Sequence, residues 1–184
     1  MTWLILLIVI AALGVIVWYI FRTKKMFQFV RAGVIDNARE IDTQRRKQST
    51  LISALENVVQ TSFSHREDIL NQLSIARQDI NKAISEPIVE NTMAADRDLS
   101  ELLTVMRAEI NNNSQLASNQ NFALSVGELE DTIGKIAFAR QALLDFESRQ
   151  TAMLHTFPSN MVAMAFKFDP HGHVSNIPKN ELEV

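Results

Sequence analysis

The chain has 184 residues, a formal net charge of −3 and 21% charged residues, so neither sign is in the excess that nucleic-acid binding calls for. It has no cysteine, which excludes disulfides, thiolate metal sites and a cysteine nucleophile. Five glycines and four prolines are too few for a turn-rich β architecture, and the fold class expected is all-α.

The first element, TWLILLIVIAALGVIVWYIF (residues 2–21), carries no charged side chain. A bilayer core about 30 Å thick takes about 20 apolar residues in a helix, so this stretch predicts a transmembrane anchor. Trp3 at one end and Trp18, Tyr19 and Phe21 at the other stand where interfacial aromatic belts form. A cleaved signal peptide would want basic residues before the run and small residues at the cleavage site. Only Met1 and Thr2 precede it here, and Trp-Tyr-Ile-Phe ends it.

Residues 22–35 form a basic and apolar stalk. Arg22, Lys24, Lys25 and Arg31 come before any acidic residue, the first being Asp36. The positive-inside rule then predicts a single-pass membrane protein with its N-terminus outside and the remainder in the cytoplasm. These four side chains are also placed to meet anionic lipid headgroups. In KKMFQFVR (residues 24–31) basic residues interleave with aromatics, but the position directly after the anchor favours lipid over nucleic acid. The inverse topology, a domain outside the membrane, is decided by one experiment. With the domain in the cytoplasm, Ser118→Cys stays unlabelled by an impermeant thiol reagent in intact cells and is labelled once they are opened.

Residues 36–157 show helical periodicity in four segments. Val34, Ile41, Ile52, Leu55, Val59 and Phe63 recur on one face, and Ser64 is placed to cap a second segment. The second stripe is Ile69, Leu73, Ala76, Ile80 and Ile84; the third is Leu99, Leu102, Leu103, Met106 and Ile110. The fourth runs through Phe122, Val126, Leu129, Ile133, Ile136, Leu143 and Met153 to Pro158. Short connections predict an antiparallel four-helix bundle. The first and fourth segments are the long ones, roughly 35 residues or about 50 Å each, so both should project toward the membrane.

FPSNMVAMAFKF (157–168) then falls at the membrane end as a short amphipathic helix, residues 158–168, with Ser159 or Asn160 as its cap. Phe157, Met161, Val162, Phe166 and Phe168 either enter the headgroup region or pack on the stalk. Residues 169–184 hold Pro170, Gly172 and Pro178 without periodicity and are expected to be a disordered tail.

Polar residues on the stripes invite a functional reading. Arg77 and Arg140 lie at helical spacing from apolar neighbours, and a buried guanidinium needs a carboxylate, with Asp42, Glu56, Glu128 and Glu130 as candidates. Asp42, Arg77, Glu130 and Arg140 are therefore the expected buried polar network, structural rather than catalytic. Neither His65 nor His155 has a glutamate at the Glu-x-x-His spacing of a di-metal bundle. There is no Gly-x-Ser-x-Gly elbow and no phosphate-binding glycine loop. No cofactor, metal or enzymatic activity is expected. On the stalk, Phe27, Phe29, Val30, Val34 and Ile35 spread over a wide arc and suggest an oligomer interface.

The stretches IDTQRRKQSTLISALENVV (41–59), Ala76-Arg77, LASNQNF (116–122), GELEDTIGKIAFAR (127–140) and FPSNMVAMAFKF together resemble the LemA family of bacterial membrane proteins. The resemblance implies one N-terminal transmembrane helix, an outward N-terminus and a cytoplasmic antiparallel bundle, and it carries no catalytic residues. The resemblance is that of a divergent member. The family's Tyr-Asn pair after the anchor, its Pro-Asn-Leu-Val turn, its Tyr-Pro and its second Tyr-Asn pair are replaced by Lys25-Met26-Phe27, Ser53-Ala54-Leu55-Glu56, Asn113-Ser114 and Leu143-Leu144. Two functions are expected from these features: a self-assembling membrane scaffold, or an adaptor docking a membrane protein such as a protease, near whose genes some relatives are encoded. The adaptor's contact would be the polar tip, Asn111 to Asn121.

Overall fold

The computed structural model describes residues 2–62, 67–112 and 118–166. Among them the chain is entirely helical: α1 (Thr2–Ser62), α2 (Glu67–Ser85), α3 (Val89–Asn112), α4 (Gln120–His155) and α5 (Ser159–Ala165). The expected positions Phe63, Ser64, His65, Phe168 and the tail fall outside the described residues, as do residues 113–117 of the polar tip.

α1 is continuous for 61 residues because only Gly14 and Gly33 interrupt its helix formers and no proline does. Pro87 stands between α2 and α3, where its ring and missing N–H stop the helix. α4 is capped by Asn119, whose Oδ1 accepts the Phe122 N–H at 3.1 Å. The chain divides into two compact units, one of residues 39–140 and one of residues 1–38 with 141–184.

The 39–140 unit is the helical bundle. Its core joins Ile52, Leu55 and Val59 of α1 to Leu73 and Ile80 of α2, Leu99 and Met106 of α3, and Phe122 and Leu129 of α4. The sets recur at three, four or seven residues, so one stripe per helix is removed from water. α2 and α3 pack directly on each other, as a three-residue gap after Ser85 requires of antiparallel neighbours. Acidic Glu67 and Asp68 in the first turn of α2 and Lys82 in its last complement the helix dipole.

The other unit comprises the apolar first part of α1, the last part of α4 and α5. α1 contains a window of mean hydropathy 3.0, none of it buried within the chain, and is the one described helix long and apolar enough to cross a membrane. Beyond that window a stripe turns inward: Thr23, Phe27, Val30, Val34 and Ala38 are all buried, at intervals of four, three, four and four. The Phe29 ring meets Phe146 of α4 edge-on, with centroids 6.0 Å apart. Gly33 makes room for the same ring, since a Cβ there would stand 2.6 Å from it. Here glycine is required by the close approach of a side chain, not by a backbone turn.

This cover changes the stalk's meaning. Phe27, Val30 and Val34, expected at an oligomer interface, are buried within one chain, and Ile35 is half-buried. Phe29 alone of the five is largely exposed. α4 returns along this stretch, and its Phe146 packs on Phe29 and Gly33. A glutamate at Val34 would place a charge in a buried position and loosen the unit itself.

Candidate functional site

Two arrangements have the chemistry to matter, one in each unit. The first is a collar at the end of the apolar segment. Arg22 follows Phe21, and its guanidinium lies over the Trp18 ring at 5.4 Å. Lys24 Nζ stands 4.8 Å from the centre of the Phe166 ring, which fastens the residue after α5 to α1 by a cation–π contact. Lys25 is exposed, and Arg31, also on the surface, has a partner.

α5 follows the turn at Phe157-Pro158. Ser159 sits inside the helix rather than at its cap: Pro158 is the cap residue, and the Ser159 hydroxyl reaches back to the Met153 and Thr156 carbonyls at 2.7 and 2.8 Å. Those bonds close two carbonyls at the α4 terminus. α5 is two-faced. Val162 and Ala163 are buried, whereas Phe157, Met161, Met164 and Phe166 are exposed. α5 and the apolar part of α1 line an apolar cleft of about 460 Å³, with Val15, Ile16, Tyr19 and Ile20 on one wall and Met161, Val162 and Ala165 on the other. Packing on α1 and an apolar outward face thus coexist in one segment. A second cleft adjoins at Tyr19 and is edged by Arg22, Lys25 and Ser159.

The second arrangement is a polar layer in the bundle. Arg45 of α1 is 2% exposed. It donates through Nη2 to Asp96 Oδ1 and to the Thr92 carbonyl, and through Nη1 to Gln48 Oε1. Arg140 of α4 takes the other Asp96 oxygen. Gln48, wholly buried, passes the chain on to Thr132 Oγ1 at 3.1 Å, and Thr132 bonds the Leu129 carbonyl. One carboxylate therefore faces two guanidiniums. Burial pulls the Arg45 pKa down, against the pull of Asp96, and Arg140 nearby adds to the lowering.

The four residues expected as one network are not brought together. Arg140 belongs to the Asp96 layer. Arg77 lies at the edge, bonded to Ser53 and Glu56 at 2.9 Å. Glu130 is paired with Arg107, which holds its carboxyl below the usual range, and Asp42 with Arg46 one turn along α1. Arg45, Gln48, Asp96 and Thr132 were missed because the apolar stripe was followed alone. The signal was present, since positions 45 and 48 fill the gap between Ile41 and Ile52 at helical spacing.

One further pair of acids meets between α2 and α3. The Asp79 pKa is raised, first by a hydrogen bond to Asp98 and then by burial. Among the described residues no three His, Asp or Glu side chains are grouped to hold a metal ion.

These features fit what the chain resembles. The model of the LemA family matches residues 37–183, which takes in the whole bundle, the polar layer and α5. No curated protein matches the chain.

Proposed function

The chain belongs to the LemA family, and from that premise we propose that it is a non-enzymatic, single-pass membrane scaffold with its helical bundle on the cytoplasmic face. The observation that carries the reading is the collar. An uncovered apolar segment, a basic girdle and a two-faced helix are fastened together at one level of the chain. That combination supports attachment to a bilayer by a spanning helix with a second, interfacial contact.

The scaffold reading rests on exposure as well. With Phe27, Val30 and Val34 covered, apolar surface for self-association is left at Met26 and Phe29 on α1 and at Phe138 and Leu144 on α4. A homo-oligomer closed by cyclic symmetry would bury such surface. The groups in the polar layer bond one another, with no nucleophile held against a base, which favours a structural part for it.

Native mass measurement of the full-length protein, extracted with its surrounding lipid, tests the proposal beside a version starting at Gln28. A discrete multiple of 20.8 kDa, lost in the shortened version, is the expected result. One copy accompanied by another polypeptide would replace the scaffold by an adaptor for a membrane-protein partner.

A further inference from the structure

We propose that the collar is a binding site for one anionic phospholipid, an acyl chain seated between α1 and α5 and the headgroup held by Arg22 and Lys25. The inference deepens the membrane reading above and rests on it. Three observations converge. The α1 wall of the apolar cleft is Val15, Ile16, Tyr19 and Ile20, residues of the membrane-spanning segment itself, so at that depth the surrounding solvent is hydrocarbon. The cleft, at about 460 Å³, is in the range of sites that take a ligand rather than a solvent-sized gap.

The neighbouring cleft supplies the second half. Tyr19 lines both, and Arg22 and Lys25 stand at the edge of the second with the Ser159 residue. An amphipathic molecule, apolar at one end and anionic at the other, matches this order of walls along α1. The third observation is charge. No acidic residue occurs between Arg22 and Ile35, so the two cations are not neutralised from their own stretch of helix. The Arg22 guanidinium carbon lies 5.4 Å from the centre of the Trp18 ring, a contact with the π-system that uses no hydrogen-bond acceptor, and a guanidinium has five N–H donors to offer phosphate oxygens. A general attraction of basic residues to a charged surface would need no cleft; a seated lipid needs both.

The test uses the full chain in micelles containing equal amounts of dioleoyl phosphatidylglycerol and dioleoyl phosphatidylcholine, read by native mass spectrometry. One phosphatidylglycerol retained per chain is expected, enriched about thirtyfold over phosphatidylcholine if each of the two cations contributes as it does near an anionic surface. Ala165→Trp fills the cleft from its exposed wall and should abolish the retained lipid. Arg22→Gln with Lys25→Gln should keep a retained lipid but bring the two headgroups to parity. Equal retention of both lipids by the native chain, none at all, or the same retention in both variants overturns the site. Resistance to carbonate extraction separates the two levels. A chain that resists it and holds no lipid sinks only this site, whereas a chain released by carbonate sinks the membrane reading with it.

Discussion

Asp96→Ala lowers the stability of the bundle by about 3 kcal/mol, the low end of the cost of breaking a buried ion pair. Two guanidiniums depend on this one carboxylate. Arg140 keeps about a third of its side chain in water and can turn outward. Arg45 cannot. Its side chain is 3% exposed, its Nε already lacks a hydrogen-bond partner, and without Asp96 it is left with the Thr92 carbonyl and Gln48. The loss is therefore a buried cation without a counter-charge rather than one missing contact. Arg46→Ala is the comparison, because its pair with Asp42 lies on the surface and is worth about 0–1 kcal/mol. Urea unfolding of the full-length protein, followed by helicity, measures both. The triple change Arg45→Met, Asp96→Leu, Arg140→Met should recover most of the lost stability, since apolar groups of similar size remove the desolvation cost together with the attraction. A cost for Asp96→Ala no larger than that of Arg46→Ala would show that the layer is solvated and carries little.

How this layer escaped the sequence reading shows what periodicity detects. Apolar recurrence marked Ile52, Leu55, Leu73, Leu99, Phe122 and Leu129, all of which lie in the core. Their burial follows from hydrophobicity alone, which each residue carries wherever the helix goes. The Pro158 turn and the helix after it were equally local, set by a ring that cannot continue α4. Arg45 and Gln48 are core residues by position and surface residues by type, so a search by type passes over them. What makes their burial tolerable is Asp96 on α3 and Thr132 on α4, 51 and 84 residues away. The stalk failed in the same way. Phe27, Val30 and Val34 were legible as an apolar stripe, but whether a stripe is covered by its own chain or by another molecule depends on where α4 returns. Phe146 against Gly33 is that information, and nothing near residue 33 encodes it.

On the membrane-spanning reading proposed above, Ile10→Arg combined with Leu13→Arg turns a carbonate-resistant protein into a carbonate-extractable one. Leu, Ile, Val and Phe fill 13 of the 20 positions from Thr2 to Phe21. At about −0.3 to −0.6 kcal/mol each, they favour insertion by about 4–8 kcal/mol. Each central arginine opposes insertion by about 2.5–3.5 kcal/mol, so two of them cancel most of that preference. The pair stands on one face, three residues apart, and both side chains are more than half exposed in the chain, so no internal partner can take the charges. Ile10→Ala with Leu13→Ala removes the same side chains without adding charge and should remain resistant to carbonate. The double arginine variant is not expected to lose all affinity for lipid. Phe157, Met161 and Met164 still face outward, and Arg22, Lys24 and Lys25 are untouched. Flotation with phosphatidylglycerol vesicles should therefore persist at low salt and weaken at high salt, because the electrostatic part of such a contact is screened and the apolar part is not. Retention of the double arginine variant in the carbonate-resistant fraction would mean that residues 2–21 are not what holds the chain in the bilayer. The collar would then have to be a peripheral contact, and α5, not α1, its principal anchor.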